Sequence, residues 1–154
     1  MKLHRSLVAL AVAAACTTST AGFAGESMTH PFPPAKSDAL EKFGGEEGVH
    51  DWVEALFYYI MLDTRINKIF REFGNPERQI YLNTQLETFL LGGDVEYQGA
   101  SMAAAHQDLG ITMTQFNAVV EAAYNACERV NVDYHTCNDL IAVLAPFTDD
   151  IVTK

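Results

Sequence analysis

The spacing of apolar residues is helical in every long segment of the chain after about residue 37. The clearest case repeats apolar residues at intervals of three and four, which places them on one face of a helix. These residues are Val49, Trp52, Val53, Leu56, Phe57, Ile60 and Met61. No segment sustains the alternation of a strand for four or more residues. The pattern therefore predicts an all-α fold.

A second long helix is predicted to begin at Pro76, with Asn75 as its cap, because proline in the first helical turn loses no hydrogen bond. It should run to Leu91 and end at the glycine pair of residues 92–93. A similar pair lies at residues 44–45, and glycine suits such corners because it adopts left-handed backbone at little cost. The predicted buried stripe of this helix comprises Leu82, Leu86, Phe89 and Leu90.

Two more long helices follow. The third is predicted to begin at Thr112, whose hydroxyl can cap the first turn while Gln115 reaches back. The fourth is predicted to open at Thr136 and to continue to Ile151. Shorter helical segments are expected over residues 38–43, 66–70 and 100–107. Four amphipathic helices around one core predict a single domain over residues 37–154.

The first 36 residues have a different character. Lys2 and Arg5 precede an apolar run that is too short to span a bilayer, and small residues follow it, which predicts a signal peptide over residues 1–24. Cleavage after Ala24 or Ala21 fits this pattern. Alternatively, Cys16 is a lipidation site that anchors the protein to a membrane. Residues 25–36 contain three prolines and are expected to form an extended leader. We therefore expect an exported, periplasmic protein.

Export would change the net charge of the chain and the chemical environment of its cysteines. Removal of the signal leaves eight basic residues against twenty acidic ones, which argues against nucleic acid or an anionic membrane as a partner. In an oxidising compartment Cys127 and Cys137 either form a disulfide or remain two buried thiols.

The histidines are scattered along the chain, and no zinc, di-iron, hydrolase or nucleotide motif is present. His106 differs from the others because it follows three alanines, which allow a flat group to approach the backbone. Such an imidazole is either an ordinary half-exposed side chain or the single protein ligand of a haem iron.

Several segments in order resemble group I truncated haemoglobins, the two-over-two helical globins. They are Phe43-Gly-Gly-Glu-Glu-Gly, Leu62-Asp-Thr-Arg-Ile-Asn-Lys-Ile-Phe, Leu91-Gly-Gly-Asp-Val-Glu-Tyr-Gln-Gly, Met102-Ala-Ala-Ala-His-Gln-Asp-Leu-Gly-Ile-Thr-Met and Val143-Leu-Ala-Pro. The resemblance extends over residues 43–152. It implies a two-over-two helical sandwich that binds haem b.

The resemblance also implies roles for individual residues. His106 becomes the proximal iron ligand, and Phe70 packs on the haem face. Leu144 lies at the back of the pocket. The proximal side is lined by Met102, Ile111, Phe116 and Val119.

The distal side departs from the family pattern, which often has a tyrosine on the first long helix. Phe57 occupies that position, and Tyr58 is one residue away, roughly 100° around the helix. Counting back from Gly92, the second long helix turns Gln79, Asn83 and Leu86 toward the ligand.

Gln79 and Asn83 are therefore candidate hydrogen-bond donors, or else two solvated residues on a helix surface. Tyr81 is a further candidate if the preceding loop shifts the register. Beside the expected haem edge lies a basic cluster that either pairs with the propionates or is simply solvated. It consists of Arg65, Lys68, Arg71 and Arg78.

These residues predict a monomeric haem protein that reversibly binds O₂, NO or CO at the sixth iron position. Its role is then oxygen transport or, as the resemblance implies for some relatives, enzymatic oxidation of nitric oxide. The sequence gives no information about the identity of an electron donor. The alternative is a haem-free helical domain that binds an apolar ligand or a partner protein.

Overall fold

The computed structural model describes residues 38–154, so the predicted signal peptide, the leader and Cys16 lie outside the described residues. The helices are α1 (Ala39–Lys42), α2 (Gly45–Leu62), α3 (Asn67–Phe73), α4 (Pro76–Leu90), α5 (Met102–His106), α6 (Met113–Arg129), α7 (Tyr134–Leu144) and α8 (Thr148–Ile151), with a 3₁₀ turn over Ala145–Phe147. Over residues 38–154 there is no strand, which confirms the all-α prediction. In the same range no helix is long and apolar enough to cross a bilayer.

The helix starts follow from local hydrogen bonding. Gly44 and Gly45 have φ values of +90° and +74°, so the corner before α2 needs the left-handed backbone that glycine adopts readily. Asn75 caps α4 by accepting a bond from the backbone N–H of Arg78. Thr112 and Gln115 form the complete capping box that was predicted for α6.

The predicted bounds of the last long helix are wrong at both ends. The helix begins at Tyr134 because Asp133 is the cap, and its carboxylate accepts bonds from the backbone N–H groups of His135 and Thr136. Thr136 lies inside the first turn. The helix ends at Leu144, where a 3₁₀ turn containing Pro146 separates it from α8. Proline cannot donate the bond that would continue an α-helix, which explains the break.

The long helices form two pairs. α2 packs against both α4 and α6, and α6 also packs against α7. The pairs α2/α4 and α6/α7 make up the two layers of the predicted two-over-two sandwich, so this part of the prediction is confirmed.

The interface between α2 and α6 holds the core. Trp52 of α2 is fully buried, and its indole N–H donates to the backbone oxygen of Ala123 at 3.2 Å and to Cys127 Sγ at 3.1 Å. Phe43 meets the Trp52 ring edge-on, with 6.2 Å between centroids. The buried residues of α6 are small: Ala118, Ala122, Ala123, Ala126 and Cys127.

The predicted buried stripe of α4 is partly wrong. Leu86 and Leu90 are buried, but Phe89 is 36% exposed. The buried face is instead completed by polar residues, including Thr84, Gln85 and Thr88. Apolar residues alone therefore did not define the orientation of this helix.

Cys127 and Cys137 form a disulfide, which decides between the two states that the sequence left open. The bond joins the last turn of α6 to the first turn of α7 across ten positions of sequence. It closes a short loop and therefore restricts the unfolded chain.

Reduction of this disulfide should lower the free energy of unfolding by about 2 to 3 kcal/mol, the amount expected for so short a loop. Urea unfolding of the oxidised and reduced protein measures the difference, and intact mass should rise by two hydrogens on reduction. If the mass shows that the disulfide has been reduced but the two forms unfold at the same urea concentration, the prediction is contradicted.

Candidate functional site

A cavity of about 340 Å³ lies between α2, α4 and α6 and is closed by α3, α5 and α7. Most of its lining is apolar. Eleven residues that the sequence predicted for the haem pocket line it: Phe57, Phe70, Gln79, Asn83, Leu86, Met102, His106, Ile111, Phe116, Val119 and Leu144. The structure therefore brings together side chains that are up to 87 positions apart in sequence, from Phe57 to Leu144.

His106 is the only imidazole among the described residues that line the cavity. It is the last residue of α5, a short helix capped by Ser101, whose hydroxyl accepts a bond from the backbone N–H of Ala104. His106 Nδ1 lies 2.8 Å from the backbone oxygen of Met102. Because a carbonyl can only accept, Nδ1 carries the proton in this bond, and neutral His106 then keeps its lone pair on Nε2.

The lining fits a flat, mostly apolar cofactor with a metal at its centre. The rings of Phe57 and Phe70 meet edge-on with 5.8 Å between centroids, and Phe116 and Val119 are half-buried along one face of α6. A neutral imidazole whose other nitrogen is held by a backbone carbonyl is a common arrangement for a metal-ligating histidine. Apolar walls and one such nitrogen are the features that a haem requires of its pocket.

Two amides of α4 lie in this lining. Asn83 Nδ2 donates to the backbone oxygen of Gln79 at 2.8 Å, which uses one of its two N–H groups and leaves the other available. The Gln79 side chain lies against Gly74, where a Cβ would collide with its amide. Gln79 Oε1 is buried and has no hydrogen-bond partner among the described residues.

The structure does not place Tyr81 in the cavity. It is 53% exposed, and its hydroxyl lies 3.5 Å from Gln98 Oε1, so its selection as a distal candidate was wrong. Tyr81 is two residues after Gln79, roughly 200° around α4, and therefore faces away. Tyr58 also lies outside the cavity lining, with the Arg129 guanidinium 4.4 Å from its ring centroid.

The four basic residues do not form one cluster. Arg65 bonds to Asp63 and Glu121 at 2.6 Å each, and Lys68 pairs with Glu72 at 3.8 Å. Arg65 is thus already engaged on the α2/α6 side. Arg71 and Arg78 are exposed. Burial raises the pKa of the nearby Tyr97 hydroxyl, and the charge of Arg78 offsets part of this rise.

Sequence reasoning missed Glu87. Its side chain lines the cavity, is 3% exposed, and its Oε2 has no hydrogen-bond partner among residues 38–154. Burial raises the pKa of this carboxyl to about 8, since the charged form is costly away from water. The spacing in the sequence could have identified this residue, because Glu87 lies four residues after Asn83 and so shares its helix face.

The raised pKa makes folding depend on pH. An unfolded Glu87 loses its proton near the ordinary value of 4.5, whereas the folded one keeps it until about pH 8. The free energy of unfolding is therefore highest below pH 4.5 and falls as pH rises between these two values, by about 1.4 kcal/mol per pH unit.

In Glu87→Gln this loss should disappear, so the variant gains stability over the wild type as pH rises through that window. Urea unfolding at several pH values measures the difference. The matched control is Glu77→Gln, at an exposed position of the same helix. Parallel pH profiles for wild type and Glu87→Gln would count against a raised pKa.

The comparisons with known proteins agree with this geometry. Residues 38–153 match the family model described as bacterial-like globin. A group 1 truncated haemoglobin of Tetrahymena thermophila is 32% identical over 115 residues, which cover 75% of this chain and 94% of that protein.

Two solved structures are also similar. The Fe(III) form of truncated haemoglobin from Tetrahymena pyriformis has a TM-score of 0.71 and 25% identity. The two-over-two haemoglobin of Synechococcus sp. PCC 7002, described with covalently attached haem, has a TM-score of 0.69 and 26% identity. Each comparison covers 75% of this chain and 98% of the other. The chain therefore belongs to the bacterial-like globin family and is a haem-binding globin similar to group 1 truncated haemoglobins.

Proposed function

We propose that this globin holds haem b through His106 and reversibly binds a diatomic gas on the opposite side of the haem. The observation that carries the proposal is the position of the His106 imidazole. It lines an otherwise apolar cavity, and its Nδ1 is bonded to the Met102 carbonyl at 2.8 Å. That bond fixes the ring and directs the basic lone pair to Nε2.

The haem iron supplies the coordination position for the gas, and the chain supplies the surroundings. Met102, Ile111, Phe116 and Val119 would exclude water around the bond from His106 to the iron, and Phe57 and Leu86 would do the same around the gas. The free N–H of Asn83 and the amide of Gln79 are available as hydrogen-bond donors toward the gas.

The absence of a tyrosine at Phe57 favours binding and release over firm retention, because a phenyl ring donates no hydrogen bond. We therefore propose oxygen transport or sensing as the role. Oxidation of nitric oxide at the same site is the enzymatic alternative. Stopped-flow mixing of the oxygenated protein with nitric oxide separates the two through the rate at which ferric haem forms.

We further propose that the protein works after export. The predicted signal peptide supports this, and so does the Cys127–Cys137 bond, since disulfides persist in oxidising compartments and are rare in the cytosol. The mass of the mature protein from a periplasmic extract tests the proposal. Cleavage near residue 24 with the disulfide intact would support it, whereas an uncleaved chain in the cytosol would contradict it.

His106→Ala should abolish the Soret band of the wild-type haem complex, because the variant lacks the nitrogen that ligates the iron. Absorbance spectra of both proteins after addition of hemin measure this. The control is His135→Ala, at an exposed histidine that is not part of the cavity lining. An unchanged spectrum in His106→Ala would exclude His106 as the ligand.

Asn83→Leu should speed oxygen dissociation roughly fivefold, since one hydrogen bond of about 1 kcal/mol is lost while the side chain keeps its size. Laser photolysis or stopped-flow displacement by CO measures the rate. Tyr81→Phe is the matched control on the same helix and should leave it unchanged. A faster rate in the control alone would mean that the distal residues are assigned incorrectly.

A further inference from the structure

Three polar side chains line the cavity along a single face of α4. Gln79, Asn83 and Glu87 are spaced by four residues, so they follow each other on successive turns of the helix. The first two were assigned above as hydrogen-bond donors. Glu87 is the most deeply buried of the three.

The near-complete burial of Glu87 is unusual for a carboxyl group. Its Oε2 has no hydrogen-bond partner among the described residues, although a buried polar group without a partner costs free energy. An apolar residue at this position would remove that cost. The carboxyl therefore lines the cavity with an Oε2 whose hydrogen-bonding capacity is not used by residues 38–154 and is available to a bound group.

The surroundings of Glu87 hold few other ionisable groups. Tyr97 interacts with it electrostatically, and the Tyr97 hydroxyl is itself 3.0 Å from the backbone oxygen of Ala100. Arg78 acts on Tyr97 from the first turn of α4, and His106 is the other titratable side chain of the lining. Toward the cavity, α2 presents Trp52 and Leu56, and α7 presents Ile141 and Leu144.

We propose that Glu87 is a ligand-binding residue of the cavity, whose neutral carboxylic acid donates a hydrogen bond to a small ligand with an electron-rich end. The same group as a carboxylate offers no donor and repels ligands that carry negative charge. Ligand binding in the cavity then depends on pH, because a bound ligand of this class is stabilised in acid and neutral solution and destabilised in alkaline solution. This inference rests on the proposed function, since the small ligand is the gas that binds beside the haem.

Carbon monoxide on the ferrous haem protein is the probe, because the C–O stretch falls when a donor faces the oxygen. Infrared spectra from about pH 6 to about pH 10 bracket the pKa of about 8. In the wild type the stretch should move to higher wavenumber with a midpoint near this pKa. In Glu87→Gln, whose amide always donates, and in Glu87→Leu, which never does, it should not change with pH.

A second readout tests contact directly. Photolysis of the CO complex should shift the carbonyl band of the neutral Glu87 carboxyl, and this signal should be absent from Glu87→Gln. Tyr97→Phe is the matched control for the other nearby titratable group and should keep the wild-type pH dependence. Glu77→Gln controls for a change of charge on α4.

The outcomes separate this inference from the proposed function. If the haem complex forms but the wild-type stretch is independent of pH, or if Glu87→Gln retains the pH dependence, Glu87 does not bind the ligand. If Tyr97→Phe alone removes the dependence, the phenol is the responsible group and the inference is overturned. If no variant and no wild-type protein gives a Soret band with hemin, the proposed function fails and this inference fails with it.

Discussion

The close packing of α2 on α6 is the constraint on which the rest of the structure depends. Four alanines of α6 are buried, and their small size lets the bulky Trp52 of α2 reach the backbone of α6 at Ala123. Larger side chains of the same helix, among them Phe116 and Val119, are only half-buried and line the cavity instead. One helix thus closes the core with its small residues and forms a wall of the site with its large ones.

The polar stripe of α4 shows that the cavity is not optimised for stability alone. Gln79 and Glu87 each keep a buried oxygen without a partner among the described residues. Such atoms are costly in a folded protein, and these two line the cavity, where a bound group can satisfy them. The polar residues of the lining therefore lie on α4, the helix that faces the proposed gas ligand. Polar side chains at this place can change how firmly the gas is held.

Much of the fold was predictable because it depends on local signals. Asn75 and Thr112 mark helix starts through side-chain bonds within one turn, and these predictions were correct. The start of α7 was misplaced because the prediction begins the helix at Thr136, whereas the Asp133 carboxylate accepts the backbone N–H groups of the first turn. The site was harder. Glu87 follows Asn83 by four residues and shares its helix face, but an acid is ordinarily expected at the surface, and its burial depends on how α4 is rotated against α2.

The disulfide and the cavity are connected through Trp52. Its indole lines the cavity, and its N–H lies 3.1 Å from Cys127 Sγ. The disulfide partner Cys137 lies in the first turn of α7, the helix that contributes Ile141 and Leu144 to the lining. A cavity of about 340 Å³ lacks the dispersion contacts of a filled core until its cofactor binds. Bonds that hold its walls independently of the cofactor then matter more than they would in a filled core. The cross-link between α6 and α7 acts in this way, because it limits how far those two walls can separate while the cofactor enters.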